Sequence, residues 1–189
     1  MKTLVISDFS KTFTTDDMPT IYSVFAKSGL LGPEYTAARD ALYAERHHYE
    51  LEGNKQETQR WFHDHVELFA DYHLTQALID RIVADDSYFL PRAGVAEFLA
   101  YARGNDIPVR IVTSGIADFV EAFFRMRGYS LDGIEVYGNR FILEDGKVIG
   151  VDRSVGITGL DKSAHPFGIS EYDKIILLGD NRGDCQLAQ

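Results

Sequence analysis

At 189 residues the chain has the size of one large domain, or of one domain carrying an insertion, and its 45% hydrophobic content supports a core without covalent staples. A formal net charge of -10 argues against nucleic acid and anionic membranes as partners, while leaving room for a local basic pocket that takes a small anion. Cys185 is the single cysteine, so no intrachain disulfide forms; no long apolar leader or spanning segment is seen, and the expectation is a soluble cytoplasmic protein.

In chain order, Leu4-Val5-Ile6 is a short apolar run rich in β-branched residues, the pattern of a strand buried on both faces. It ends at Asp8 and then at the hydroxyls of Ser10, Thr12 and Thr14. Residues 15–90 lose strand character. Thr15-Asp16-Asp17 before Pro19 start a first helix with Ile21, Val24 and Phe25 on one face. A second is predicted from about Pro33 to Tyr49. Asn54, with Glu57 three residues on, caps a third that carries Trp61, Phe62, His65, Val66 and Phe69. Thr75 caps a fourth with Leu78, Ile79, Ile82 and Val83. A crossover between parallel strands needs only one helix, so these four read as an inserted all-helical domain.

Pro91 is predicted to open another helix bearing Val95, Phe98 and Leu99, stopped at Arg103-Gly104-Asn105. A second buried strand then ends at Thr113, followed by Ser114 and Gly115. A helix over 117–127 stops at Gly128, and a short strand covers 134–137. Residues 141–150 form a hairpin on Asp145-Gly146, because that pair accepts the positive φ values of a tight turn. A glycine-rich connection leads to Lys162, and a last apolar strand, 174–178, ends at Gly179-Asp180 with Asp184 four residues on. Asp8 alone is better explained as a turn cap. Three strands with polar tips separated by helices point instead to one polar site beyond the carboxyl ends of a parallel sheet. The fold class is therefore α/β: a Rossmann-like parallel sheet flanked by helices, residues 1–14 and 91–189, with the helical insertion at 15–90.

Asp8, Thr113, Lys162, Asp180 and Asp184 come in the order of the motifs of the haloacid dehalogenase superfamily of phosphohydrolases, which the chain resembles. Asp8-Phe9-Ser10-Lys11-Thr12 is similar to its first motif, Asp-x-Asp-x-Thr. Thr113 matches the second, Lys162 is the best candidate for the third, and Gly179-Asp180-Asn181-Arg182-Gly183-Asp184 matches the fourth. The insertion stands where a C1-type cap sits in that superfamily. Within it, Ile107-Pro108-Val109, Thr113 to Asp118 and Leu177 to Asp184 resemble the cytosolic pyrimidine 5'-nucleotidases. Arg46 to Glu52 and Trp61 fall near that family's base-contacting Glu and Trp, with Glu50 and Glu52 both open for the first role.

The resemblance implies a phosphomonoester hydrolase with Asp8 as nucleophile, acting on a small phosphorylated metabolite such as a nucleoside 5'-monophosphate or, alternatively, phosphoserine. It implies Mg2+ held by Asp8, Asp180 and the Ser10 carbonyl, with Asp184 a ligand or a support. Thr113, Lys162 and the loop amides around Ser114-Gly115 would hold the phosphoryl group. One position departs: Ser10 stands where these phosphatases carry their acid-base Asp, and a hydroxyl does not titrate near neutrality. That departure points to slow turnover, or to a phospho-ligand-binding protein without catalysis.

His63 and His65, two apart on a helix, face different sides and make no metal pair. Trp61 on an apolar stripe reads more readily as a core residue than as a stacking platform. His47, His48 and Arg46 would give the insertion a positive lip, or simply a polar helix end. After Asp184 a helix is expected to begin. The last strand is expected at the sheet edge, covered by a continuation of the chain, a second copy or another partner, since long apolar edges aggregate.

Overall fold

The computed structural model describes residues 2–162 and 168–188. Strand β1 (Thr3–Ser7) is followed by helices α1 (Ile21–Ser28), α2 (Gly32–Arg46), α3 (His48–Leu51), α4 (Lys55–Asp71), α5 (Gln76–Val83), α6 (Asp86–Phe89) and α7 (Val95–Gly104). Then come β2 (Val109–Ile116), α8 (Ala117–Met126), β3 (Ile134–Asn139), a hairpin of β4 (Phe141–Glu144) and β5 (Lys147–Val151), and β6 (Lys174–Leu178). The chain closes on a 3-10 segment, Arg182–Ala188, where an α-helix was expected.

The main sheet is parallel with strand order β3-β2-β1-β6. Val5 pairs with Val109 on one side and with Ile176 on the other, so β1 is central and β6 lies at an edge. The apolar run of β1 is buried as its composition requires. Leu4 and Ile6 pack with Val112 and Ile157 on one face, and Val5 joins the larger core on the other. All polar strand tips discussed above therefore emerge on one edge of the sheet.

Local signals explain most element ends. Asn54 Oδ1 accepts the Glu57 amide at 3.2 Å, and Thr75 Oγ1 accepts the Leu78 amide at 3.3 Å, so both predicted caps form. Asp145 (φ 47°) and Gly146 (φ 74°) make the left-handed pair that closes the hairpin.

Three boundaries differ from expectation. α2 stops at Arg46, and a separate single turn, α3, carries His48 to Leu51. Pro91 opens no helix: it pairs with Thr14 in an antiparallel bridge, and α7 begins only at Val95, after Gly94 at φ 90°. The residue before a proline favours extended backbone, and Leu90 at ψ 122° obeys that rule. β2 runs past Thr113 to Ile116 through an irregular pairing with β3.

The strands of entry and exit to the helical insertion are laced together. Thr15 N donates to Leu90 O at 3.0 Å and Arg92 N to Phe13 O at 2.8 Å. Beyond this neck the insertion packs on the sheet layer through aromatic rings. Phe69 of α4 lies 5.7 Å from Phe25, 5.8 Å from Phe141 and 6.4 Å from Phe119, and stacks on Tyr35 at 5.6 Å. The hairpin adds main-chain bonds, Gln76 N to Gly146 O (2.8 Å) and Val148 N to Leu74 O (2.9 Å). Among the described residues, no helix is long and apolar enough to cross a membrane.

Phe69 is fully buried where α1, α2, α4, α8 and β4 meet. Phe69→Ala should destabilise the protein by ~3–5 kcal/mol, the usual cost of an aromatic cavity. Because the cluster is shared, guanidinium unfolding followed by fluorescence and by circular dichroism should stay a single coincident transition. Two separated transitions would show that the insertion folds independently.

Candidate active site

Asp8 is the first residue after β1, and its amide donates to Leu178 O of β6 at 2.9 Å. The site is thus anchored across the two strands that carry its carboxylates. The Asp8 side chain is 6% exposed, and the ammonium of Lys162, whose side chain is also buried, lies 2.7 Å from its Oδ1. The same ammonium lies 2.6 Å from Asp184 Oδ1. Asp184 Oδ2 in turn accepts the amides of Asp180 and Asn181 at 3.2 Å each, folding the loop after β6 around the carboxylate. Gly179 makes that fold possible, because a Cβ there would lie 2.5 Å from Asp184 Oδ2. Asp184 is therefore both a charge in the site and the post around which its loop turns.

Carboxylate oxygens of Asp8, Asp180 and Asp184 come within 4.8 Å of one another. Three carboxylates against one ammonium leave a surplus of two negative charges, the complement of a divalent cation. Asp180 is exposed and makes no contact with Lys162, so it is the member most open to an incoming ion. Burial pushes the Asp8 carboxyl up to about 6; the charge and hydrogen bond of Lys162 pull it back, and Asp184 pushes it up. Lys162 is raised above its ordinary value: burial opposes its charge, and the two carboxylates more than offset that.

Thr113, 1% exposed, accepts the Gly115 amide on Oγ1 at 3.0 Å. In this structure the Gly115 N–H, expected to face a phosphoryl group, is turned onto Thr113. The Ser114 carbonyl receives two donors, Tyr22 Oη at 3.1 Å and Asn139 Nδ2 at 3.0 Å. Neither Tyr22 nor Asn139 was singled out in the sequence, since a side chain that bonds a distant main chain leaves no local pattern.

Ser10, Ser114 and Gly115 line one end of a cavity of about 320 Å³, whose other walls come from the helical insertion: Tyr22, Arg39, Tyr43, His47, Glu50, Trp61, Phe62 and His65. The rings contact one another closely. Tyr43 stacks on His47 at 4.4 Å, Trp61 lies 5.9 Å from Tyr43 and 5.1 Å from His65, and the Arg39 guanidinium sits over Tyr43 at 5.1 Å. Trp61 is thus a cavity wall and largely buried at once. His65 is held neutral, its imidazole pushed down to about 4 by burial.

Of the two glutamates, Glu50 lines the cavity and burial raises its carboxyl, while Glu52 caps α3 on the exposed outside. Two positions apart on one helical turn cannot face the same way, which removes Glu52 from the candidate set. The positive lip is corrected as well: Arg46 is engaged by Asp64 and Glu45, His48 is exposed, and only His47 reaches the cavity. His63 and His65 are both buried, on a helix that gives them no common face.

The parallel sheet flanked by helices, with its helical content between β1 and β2, is a haloacid-dehalogenase-like fold. Over 99% of its length the chain superposes on cytosolic 5'-nucleotidase IIIB bound to cytidine (TM-score 0.82, 22% identity, 68% of that chain) and on substrate-bound phosphoserine phosphatase (TM-score 0.60, 18% identity, 81% of that chain). It is also 23% identical over 205 aligned positions to the 7-methylguanosine phosphate-specific 5'-nucleotidase A of Xenopus laevis, spanning 99% of this chain and 70% of that protein. The pyrimidine 5'-nucleotidase (UMPH-1) family model matches residues 5–189. The chain belongs to that family, whose members hydrolyse phosphoric monoesters.

Metal-free protein should show the cost of burying Asp8. Its folded carboxyl, near 6, titrates above the ordinary 3.8, so the folded state binds the extra proton between those values. Stability is then greatest below the unfolded value and is lost as pH rises through about 6. In chelator, wild type should lose up to ~3 kcal/mol relative to Asp8→Asn between about pH 4 and 7. Denaturant unfolding across that range measures it, and parallel pH profiles for the two proteins would contradict it.

Proposed function

We propose that the protein is a Mg2+-dependent phosphatase of nucleoside 5'-monophosphates, with residues 15–90 as its cap. The observation that carries the reading is a single cavity in which the Asp8 loop and the β2 tip share walls with an aromatic box from the cap. A phosphate at one end and a flat heteroaromatic ring at the other, joined by a sugar, fit that arrangement. The laced neck at Thr14–Pro91 supports the cap boundaries. Trp61 and Tyr43 offer ring faces to a base, and Glu50 offers an acceptor to its exocyclic N–H groups.

Mg2+, when bound by Asp8, Asp180 and the Ser10 carbonyl with Asp184 in support, supplies the positive charge that lets a dianionic phosphate approach carboxylates. Asp8 attacks phosphorus; its new P–O bond forms as the P–O bond to the sugar breaks, giving an aspartyl-phosphate. Water then attacks phosphorus and releases Asp8 and inorganic phosphate. Lys162 favours the ionised form of Asp8 and holds it in place, and the Thr113 hydroxyl, its oxygen already accepting from Gly115, keeps its proton to donate to a phosphoryl oxygen. Ser10 contributes no titratable proton, so the leaving sugar oxygen takes its proton from solvent, and the water that attacks the aspartyl-phosphate returns one to solvent.

A panel of CMP, UMP, 7-methylguanosine monophosphate, O-phosphoserine and p-nitrophenyl phosphate, with and without Mg2+, tests the reading. Metal-dependent turnover with kcat/KM highest for a nucleotide is expected. Asp8→Asn should abolish it with the fold intact, and Asp180→Ala should weaken Mg2+ binding in calorimetry. Highest kcat/KM for phosphoserine would move the substrate class, and wild-type rates in Asp8→Asn would remove the nucleophile.

Ser10 favours a slow enzyme, and Ser10→Asp should raise kcat by ~100-fold, within the ~100- to 10,000-fold range of acid-base help, with KM little changed. If Glu50 instead supplies the proton, Ser10→Asp will be neutral or harmful and Glu50→Gln will lower kcat.

A further inference from the structure

We infer that Asn139 is a positioning residue for the phosphate end of the site, a single carboxamide that locks the β2 tip to the segment leading to Lys162. This rests on the phosphatase reading and adds to it a residue outside the four motifs. Asn139 ends β3 and is 1% exposed. Its Oδ1 accepts the Ile157 amide at 3.2 Å, and its Nδ2 donates to the Ile157 carbonyl at 2.9 Å. The side chain thus pairs with both main-chain groups of one residue, as a neighbouring strand would. The second N–H is shared between the carbonyls of Ser114 (3.0 Å) and Gly115 (3.1 Å). Among the described residues, no main-chain hydrogen bond joins 155–162 to the β2 tip, so this carboxamide is the polar link between them.

Both ends of the link lead to groups that face the reaction. On one side, Ser114 and Gly115 follow Thr113 directly and line the cavity. On the other, Ile157 precedes a compact turn in which Asp161 Oδ1 accepts from Thr158 N (2.9 Å) and Thr158 Oγ1 (2.7 Å), and the next residue is Lys162. The cap joins the same junction through Tyr22 on the Ser114 carbonyl. Only asparagine meets the demand. Aspartate has the shape but no hydrogens, and would set an oxygen about 3 Å from three carbonyl oxygens. Glutamine is one methylene longer, at a position that is 1% exposed.

The test compares Asn139→Asp and Asn139→Ala with Val83→Ala, a buried truncation on α5 that serves as a stability control. Kinetics on p-nitrophenyl phosphate with Mg2+ are read well below each melting temperature. Asn139→Asp should lower kcat by ~100-fold, as small displacements of reacting groups do, with a much smaller change in KM. Val83→Ala should keep wild-type kcat. Independently of turnover, amide hydrogen exchange in peptides covering 112–117 and 155–161 should accelerate together, roughly tenfold, in Asn139→Ala, the worth of about one net hydrogen bond. Wild-type kcat in Asn139→Asp, or a kcat loss matched by Val83→Ala, overturns the assignment. Exchange that changes in one segment only, or in neither, overturns it too. If wild-type protein turns over no phosphomonoester, the phosphatase reading falls on that result, and the paired exchange decides the link alone.

Discussion

The structure depends on one buried ammonium. Lys162 reaches from a loop to lie between Asp8 and Asp184, and all three side chains are nearly inaccessible. Charges removed from water cost several kcal/mol each unless they are paired and hydrogen-bonded. Without Lys162, two carboxylates would face each other inside the protein. The ion cluster therefore constrains everything that leads to it. β1 and β6 must be neighbours so that their tips meet, the Asp184 loop must double back, and segment 155–162 must return across the sheet edge. Parallel pairing of β1 with β6 and the right-handed crossovers that α/β sheets impose deliver those tips to one edge.

The helical insertion lines the cavity without being a separate body. Its aromatic face is continuous with the sheet layer through Phe25, Phe69, Phe119 and Phe141, and hairpin β4–β5 is bonded to the link between α4 and α5. In the function proposed above, substrate selection and phosphate chemistry would be divided between two layers held in register by apolar packing. The cavity lies at their seam, where the packing gives way to rings with open faces and to the polar loops of Ser10 and Ser114. Tyr22 shows the seam at the scale of one residue: its ring contacts Phe62 and His65 of the cap, and its hydroxyl bonds the Ser114 carbonyl of β2.

What could be read in the sequence was what local physics writes there. Buried parallel strands appear as β-branched runs, caps as Asn54 and Thr75, and the hairpin as Asp145-Gly146. The order of Asp8, Thr113, Lys162, Asp180 and Asp184 could be read because each stands at a strand tip or in a short motif. Other features were hidden because they depend on long-range placement. Glu50 and Glu52 differ only in which way one helical turn faces. Arg46 looked free until Asp64, eighteen positions on, claimed it. Asn139 is an unremarked residue at a strand end, and its bonds span 18 to 25 positions. Pro91 misled for a different reason: it fits a helix start as well as an extended neck, and Gly94 at positive φ decided between them.

Ser10 bears on the charge of the site as well as on its protons. Two residues from Asp8, a carboxylate at this position would be a fourth negative group beside a cluster with a single ammonium. By like-charge repulsion it would lift the Asp8 carboxyl further above about 6 and shrink the ionised fraction of the nucleophile near neutrality. A serine leaves the main-chain carbonyl in place and removes that repulsion. The same substitution that takes away an acid-base group therefore keeps Asp8 a carboxylate in a site where burial already works against its charge. In the proposed mechanism, loss of proton help and protection of Asp8 as nucleophile are two consequences of one missing carboxylate, and they act in opposite directions on the rate.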